Sequence, residues 1–421
     1  MNSYQPFIGI DRSDAKIDIA ELTPKNRHLQ LHSLSSSPEA LQTWVDRLAK
    51  EDARVAICVE QPCANLTGFL VQFDFIDLYL INPAALKRYR ESYVVSGAKD
   101  DTQDSRWIAQ FIAERHDKLK PWRPADLITR KLRHYTEHRR SLVDERTQLS
   151  NQLKALLKDY FPQALQVTAD DLYAKMSCNF LLKWPTLQAL KRAKPSTITQ
   201  FYHLHNSVRP ERNAARLALI EKAVPLTGDE AILSTHSLMA KALAKQLLNL
   251  CHAIASFDQM IEKTVAQHAD YAVFSSFPGA GSNFAARLIA GVGSDRSVYE
   301  SATGLQRQSG IAPVQKQSGK MCRVQRRYAR PKFLHQTFIE WAGLTIPKSI
   351  WAKAYYRQQR ENGKGHFTAL RALAFKWQRI VYRCWQSRTA YDEEMYLKAL
   401  RRSNSPLVAK IDELIEAAKT S

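Results

Sequence analysis

Four carboxylates fall within the first 104 positions: Asp11, Glu60, Asp101 and Asp104. Asp11 closes the apolar run Phe7-Ile8-Gly9-Ile10, and Glu60 closes Val55-Ala56-Ile57-Cys58-Val59. Both runs have the length and composition of buried strands, so each acid is expected at a strand's carboxyl end, where open α/β sheets bind ligands. Asp101 and Asp104 stand three apart in Asp100-Asp101-Thr102-Gln103-Asp104-Ser105-Arg106, at the head of an expected helix reaching Ala113. That spacing puts both on one helical face. Carboxylates that converge repel one another unless cations sit between them. Hard oxygen donors in this number suit two divalent ions about 3.5–4 Å apart, which stabilise the attacking and leaving oxygens of an in-line phosphoryl displacement. The plainer reading of Asp101 and Asp104 is N-capping with an acidic first turn. Two strand-end acids earlier in the same segment weigh against it. Asp14 and Asp18 are expected in a turn or on a solvent face, and Asp100 adds only local charge.

A second reactive group lies far downstream. From Ser301 to Ile339 there are eight basic residues (Arg307, Lys316, Lys320, Arg323, Arg326, Arg327, Arg330 and Lys332) and no acid. Within this expected flexible, cationic loop sits Gln317-Ser318-Gly319. A serine flanked by cations or a metal can act as a nucleophile toward phosphorus, because the charge of its alkoxide and of the pentavalent phosphate is offset. The alternative is a Ser-Gly turn that only binds phosphate. Upstream, Phe277-Pro278-Gly279-Ala280-Gly281 precedes a helical run from Phe284 to Ala290. This is a helix-hairpin-helix-like turn, in which the backbone at Gly279 and Gly281 would contact a phosphate without reading sequence. Arg106, beside the acids, is expected to bind phosphate or to pair with a carboxylate.

The bulk properties agree with a phosphate-bearing partner. Lys and Arg number 61 against 41 acids, a formal charge of +20 with a pI near 9.7. That excess favours the nucleic-acid backbone and predicts strongly salt-dependent binding. The six cysteines form no CxxC pair, so they read as reduced, mostly buried thiols and not as a zinc cluster. The first residues lack a basic stretch followed by an apolar one, and no 18-residue apolar run occurs, which argues against a signal peptide or a membrane span.

The elements that must position these groups follow from periodicity. Phe7 to Asp11, Ile17 to Leu22 and His28 to Leu34 read as three meandering strands. A helix from Ser37 to about Lys50, the strand ending at Glu60, and another strand from Ile76 to Ile81 follow. This pattern is a mixed α/β sheet of ribonuclease-H type over residues 1–125. Residues 126–270 read as a helical, coiled-coil-like oligomerisation region. Leu127 to Tyr160 carries Tyr135, Leu142, Leu149 and Leu156 at intervals of seven, a seam interrupted by Arg139 and Arg146. A second long helix from about Ser234 to Ala269 suits it as an antiparallel partner. Between them lie two short helical stretches, near Leu172–Leu182 and Phe201–Leu204, and a solvated basic loop at Lys191–Pro195. Residues 271–421 read as a mainly helical domain whose tryptophans pack helices, with His366 structural or phosphate-binding.

Taken in order, these motifs resemble the IS110/IS1111-type transposases, the DEDD family that includes bridge-RNA-guided recombinases. The resemblance is carried by Gly9-Ile10-Asp11, Cys58-Val59-Glu60, Ile81-Asn82-Pro83 and Lys99-Asp100-Asp101-Thr102-Gln103-Asp104 in the first domain. In the last it is carried by Phe277-Pro278-Gly279-Ala280-Gly281 and Ser309-Gly310-Ile311-Ala312-Pro313 through Gln317-Ser318-Gly319. Asp100 stands where relatives commonly have Thr, Gln61-Pro62 where many have Ala-Thr-Gly, and the chain is longer in its middle and tail.

The resemblance implies a RuvC-like DEDD domain with Asp11, Glu60, Asp101 and Asp104 holding Mg²⁺, for which Mn²⁺ can substitute, and a C-terminal transposase domain with Ser318 as nucleophile. It further implies donor and target double-stranded DNA, a bridge RNA, and a homodimer or homotetramer in which two active-site halves meet. Phosphate contacts would come from Lys316, Lys320, Arg323, Arg326, Arg327 and Arg330. The expected setting is the prokaryotic cytoplasm, at the nucleoid. Two rivals stand beside this reading: a RuvC-like endonuclease that uses water, and a nucleic-acid-binding scaffold without chemistry.

Overall fold

The computed structural model describes residues 4–13, 15–23, 28–60, 64–93, 101–319, 321–328 and 330–419, with the backbone alone at 64, 101–103, 316 and 318. Two compact units divide the chain, Met1–Pro124 and Ala125–Ser421.

The first unit is a five-stranded sheet between helices. Its strands are β1 (Phe7–Arg12), β2 (Lys16–Thr23), β3 (His28–Ser35), β4 (Val55–Val59) and β5 (Ile76–Leu80), in spatial order β3-β2-β1-β4-β5. The first three run antiparallel as a meander, while β1, β4 and β5 are parallel. Alternation along the strands makes two apolar faces. Ile8, Ile10, Ile57 and Val59 pack against α1 (Pro38–Ala49) and α2 (Ala64–Leu70) through Trp44, Val45, Leu48 and Leu70. Phe7, Ala56 and Cys58 pack on the other side against α3 (Pro83–Glu91) and α4 (Asp101–Arg115) through Leu86, Tyr89, Ile108 and Ile112. The helix starts follow local chemistry: Ser37 and Asn82 accept first-turn amides, and each is followed by proline at the first helical position.

Gly9 sets how closely α4 lies on β1. A Cβ at this position would stand 2.1 Å from the Ser105 carbonyl oxygen and 2.3 Å from the Ala109 nitrogen. Only a residue without a side chain lets the helix backbone come this near.

The second unit is a helical hairpin with a core at each end. Its arms are α5 (Leu127–Tyr160) and, after five helices, α11 (Glu230–Val265). They run antiparallel within one chain: Tyr135 meets the Phe257 ring and Arg139 reaches Asp258 near one end, while Tyr160 meets His236 at the other. Of the two arginines that interrupt the heptad seam, Arg139 is paired across the hairpin, whereas Arg146 lies against a ring with its Nε buried and without a hydrogen-bond partner. Arg139 Nε donates to Asp258 Oδ1 at 2.5 Å, and the Arg146 guanidinium lies 3.9 Å from the centre of the Tyr173 ring.

At the tip, α6 (Ala164–Val167), α7 (Lys175–Lys183), α8 (Leu187–Lys191), α9 (Pro195–Leu204) and α10 (Pro210–Lys222) gather around Phe161, Phe180, Leu181 and Tyr202. The sequence pattern suggested two helices here. Short amphipathic turns separated by prolines carry too little periodicity to show themselves individually. Lys191–Pro195 is a short, largely exposed link, as expected, ending α8 and opening α9, with Lys191 Nζ donating to the Ala223 carbonyl at 2.6 Å.

The base holds the larger core. Here α12 (Tyr271–Ser275), α13 (Gly281–Val292), α14 (Ala302–Gln308), α15 (Lys332–Thr345), α16 (Ile350–Glu361), α17 (His366–Ser387), α18 (Glu393–Arg402) and α19 (Leu407–Lys419) surround Trp341, Trp351, Trp377 and Trp385, all without solvent exposure. A two-stranded hairpin, β6 (Val314–Ser318) with β7 (Met321–Gln325), rises from it. No helix among the described residues is long and apolar enough to cross a membrane.

Candidate nucleic-acid interface and acidic edge

Ile10 pairs with Val59 in the parallel register of β1 and β4, so Asp11 and Glu60 are the next residues on neighbouring strands. Gly9 and Cys58 lie side by side on the sheet face that α4 covers. Carrying the alternation two residues further puts Asp11 and Glu60 on that same face. Both are partly exposed. Asp11 Oδ1 accepts the Arg12 amide at 2.9 Å, which steadies the carboxylate at the strand end.

Asp104 lies on the first turns of α4, one residue before the Ser105 carbonyl that abuts Gly9. It is partly buried and accepts from Arg90 Nη1 at 2.9 Å. Asp101 opens the same helix one turn earlier, its side chain outside the described set. Arg106 is exposed. Asp18, expected in a turn or on a solvent face, instead stands directly opposite Asp11 in the antiparallel register. Lys16 Nζ at 2.8 Å and the Ser33 hydroxyl hold it, and although burial works the other way these bonds lower its pKa. Asp14 and Asp100 lie outside the described residues.

Among the described residues no three His, Cys, Asp or Glu side chains gather as they would around a metal ion. The donor chemistry nevertheless suits a hard divalent cation: carboxylate oxygens alone, two of them adjacent by strand register and a third on the helix laid across that strand.

In the second unit the region expected as a flexible loop is an ordered hairpin. Ser318 is the last residue of β6 and pairs with Met321 across a turn in which Gly319 adopts φ +56°. Backbone pairing requires only extended residues, and this polar stretch lacked the apolar alternation that announces a strand. The hairpin's β7 is exposed throughout, and Met321, Val324 and Tyr328 present apolar surface beside Arg323 and Arg326. The side chains of Lys316 and Ser318 and the whole of Lys320 lie outside the described set.

The base of the hairpin is tightly built. Gly310, at φ +70°, has the Arg330 side chain laid across it; a Cβ there would be 2.4 Å from two of its carbons. Arg330 Nη1 donates to the Arg327 carbonyl at 2.6 Å. His335 Nδ1–H donates to the buried Ser309 carbonyl at 3.1 Å. Burial and the nearby Arg330 push the His335 pKa down to about 4, so the ring is neutral there.

Arg371, on α17, belongs to this cationic group although the sequence reading passed over it. Burial and its neighbours Arg326 and Arg330 both disfavour its charge. It lies some forty residues downstream on an ordinary amphipathic helix, so no local signal marks it. Like charges held together in this way favour an anionic partner.

The Pro278-Gly279-Ala280-Gly281 turn joins α12 to α13. The Pro278 carbonyl accepts from Trp341 Nε1 at 3.1 Å, and a Cβ on Gly279, whose φ is +74°, would stand 3.1 Å from the Leu344 carbonyl oxygen. Gly281, at φ +48°, has open space where a side chain would be. One side of the turn is therefore docked on α15 and the other is clear.

Fold and site together define a basic protein that pairs an acid-edged α/β unit with an arginine-rich hairpin on a helical base. Residues 8–162 match a family model of IS110 DEDD type described as a transposase, and residues 271–357 match the transposase family IS116/IS110/IS902. The chain is 27% identical over 405 residues to a mini-circle putative transposase for IS117 from Streptomyces coelicolor, covering 93% of this chain and 97% of that one. It is 30% identical over 333 residues to an IS116 insertion-element protein of Streptomyces clavuligerus, covering 77% and 80%. An IS900 insertion-element protein of Mycobacterium paratuberculosis is 28% identical over 310 residues, 70% of this chain and 73% of that one. The chain belongs to the IS110/IS116/IS902 family of transposases.

Proposed function

We propose that this transposase exchanges DNA strands through a phosphoserine–DNA intermediate, with donor and target sites selected by a bridge RNA. The observation that carries the reading is the β1–β4 register, which makes Asp11 and Glu60 neighbours on the face covered by α4. The strand order β3-β2-β1-β4-β5 with helices on both faces supports a RuvC-like assignment for the first unit.

Asp11, Glu60, Asp101 and Asp104 would hold Mg²⁺ or Mn²⁺, which when bound offsets the charge that builds on a scissile phosphate. Arg90 donates to Asp104 at 2.9 Å and occupies that carboxylate. Arg323, Arg326, Arg327 and Arg330, with Lys316, Lys320 and Arg106, grip the phosphate backbone, and the turn at Gly279 and Gly281 adds main-chain contacts.

Ser318, from the same chain or from a partner subunit in a dimer or tetramer, supplies the nucleophile. Its Oγ bonds to phosphorus as the bond from phosphorus to the 3′ oxygen breaks; the serine proton is given up and the 3′ oxygen gains one. A 3′ hydroxyl of the exchanged strand then attacks the same phosphorus, the bond to Oγ breaks, and the serine recovers its proton. Phosphodiester bonds are conserved in number, so no nucleotide hydrolysis is required.

The test is recombination of the native flanking DNA with the co-purified RNA. A covalent protein–DNA species should be trapped, map to Ser318, and vanish in Ser318→Ala. Cleavage by Ser318→Ala at the normal metal-dependent rate would assign the chemistry to water. No metal-dependent cleavage, and no effect of Asp11→Asn, would leave a scaffold.

A further inference from the structure

At the tip of the helical hairpin a pocket of about 520 Å³ is lined by Asp170, Lys175, His205, Arg212 and Arg216 among others. It lies within residues 169–216, which neither matched family segment includes. Four of its ionisable groups are basic and one is acidic. The acid, Asp170, is almost wholly exposed; it lies 3.3 Å from Arg212, and its charge is also felt at Arg216.

Arg216 is the unusual member. It is only 3% exposed, yet no carboxylate pairs with it among the described residues. Nη1 donates to Ser207 Oγ at 2.9 Å and Asn213 Oδ1 at 3.4 Å, and Nη2 to the Thr168 carbonyl at 3.0 Å. Nε has no partner, and the guanidinium lies 4.6 Å from the centre of the Tyr202 ring. A buried cation with no bonded carboxylate, only the charge of the exposed Asp170 nearby, is costly, as the contrast with Arg287 shows: that arginine, also buried, is bonded to Glu340 at 2.7 Å.

A second observation points the same way. The nine-residue helix α7 begins at this pocket, with Ala174, Lys175 and Met176 on the wall. Ala174, at its N-cap, offers no side-chain acceptor to the first-turn amides. Those amides and the positive end of the helix dipole favour an anion.

We propose that this pocket is a phosphate-binding site, in which Arg216 and the α7 amides face the anion while Lys175 and Arg212 close over it from the exposed side. The phosphate can be carried by a nucleic-acid backbone or be a free ion. The proposal is independent of strand chemistry at the acidic edge, and its readout is anion binding.

The experiment uses the full chain. Inorganic phosphate is titrated at constant ionic strength against wild type, Lys175→Gln/Arg212→Gln and Arg216→Met, followed by calorimetry and by phosphorus NMR line width. Wild type should bind one phosphate, and the exposed double variant, which leaves the core intact, should lose at least tenfold in affinity. Binding of labelled RNA and DNA duplex is then measured against salt. If the double variant also weakens nucleic-acid binding and lowers the salt slope by roughly 0.7–0.9 for the one lost contact, the occupant is a backbone phosphate. If phosphate binding is lost while nucleic-acid binding is unchanged, the occupant is the free ion. No phosphate binding by wild type, or equal binding by wild type and double variant, overturns the site.

Discussion

The Cα of Gly9 faces the carbonyl oxygen of Ser105 so closely that a Cβ would sit 2.1 Å from it. This contact presses α4 onto β1 two residues before Asp11 and one residue after Asp104. It is the point at which the helix-borne acids are referred to the strand-borne ones.

Gly9→Ala should therefore be severe. The clash is with backbone, which cannot swing aside, so the variant is expected near the upper end of the ~1–3 kcal/mol overpacking cost, or unfolded. Gly68→Ala, in α2 with open space around it, should gain roughly 0.5–1 kcal/mol instead. Urea midpoints of the two variants should move in opposite directions; equal shifts would refute the close approach.

Asp104 and Arg90 form a partly exposed pair whose stability value should stay below about 1 kcal/mol. Asp104→Asn is expected to fold normally and to lose metal-dependent strand cleavage. Arg90→Ala should lower the Mg²⁺ concentration that gives half-maximal cleavage, because the competing cation is gone. A destabilised but fully active Asp104→Asn protein would reduce this pair to an ordinary structural contact.

Glu340 gathers Arg287 at 2.7 Å, Arg140 at 3.0 Å and Gln336 at 2.8 Å, joining α13, α5 and α15. Glu340→Ala leaves Arg287 buried without its acid and should cost about 3 kcal/mol. Adding Arg287→Met should restore part of that loss. Guanidinium unfolding of the single and double variants measures the coupling directly.

His335 predicts acid sensitivity of the hairpin base. Its folded pKa, near 4, lies below the ordinary histidine value of 6.5, so the folded state resists protonation. The contribution to stability is complete above pH 6.5 and declines as pH falls toward 4, by on the order of 2–3 kcal/mol. His335→Gln should flatten this part of the stability–pH curve, and an unchanged slope would place the titration elsewhere.

Arg371→Gln should weaken binding to DNA of any sequence and lower the salt slope by about 0.9 if it meets one phosphate, as Arg326→Gln should. Filter binding across a salt series distinguishes this from a folding defect, in which the slope is kept and the active fraction drops.

Much of the first unit is written locally. Continuous apolar runs mark β1 and β4 as central strands, and an acid directly after each marks the sheet edge, so Asp11 and Glu60 stand out before any fold is known. Arg90 does not, because a basic residue on a short amphipathic helix has no signature of its partner. The β6–β7 hairpin was hidden for a different reason. A strand pair that buries neither face needs no alternation, so a polar, basic stretch reads as loop until its backbone pairing is seen.

Composition and order of motifs by themselves determined a basic chain with acids after its apolar strand runs and Ser318 within a stretch of cations. Periodicity also supplied the two long helices and their antiparallel relation. What tertiary structure decided was neighbourhood: that β4 and not β5 lies beside β1, that Asp18 faces Asp11, that Arg139 meets Asp258 inside one hairpin, and that Arg216 is buried at its tip, bonded to neutral groups. Hydrogen-bond register and side-chain packing select these pairs from residues 7 to 119 positions apart, and no local pattern of side chains records which segment will complete the contact.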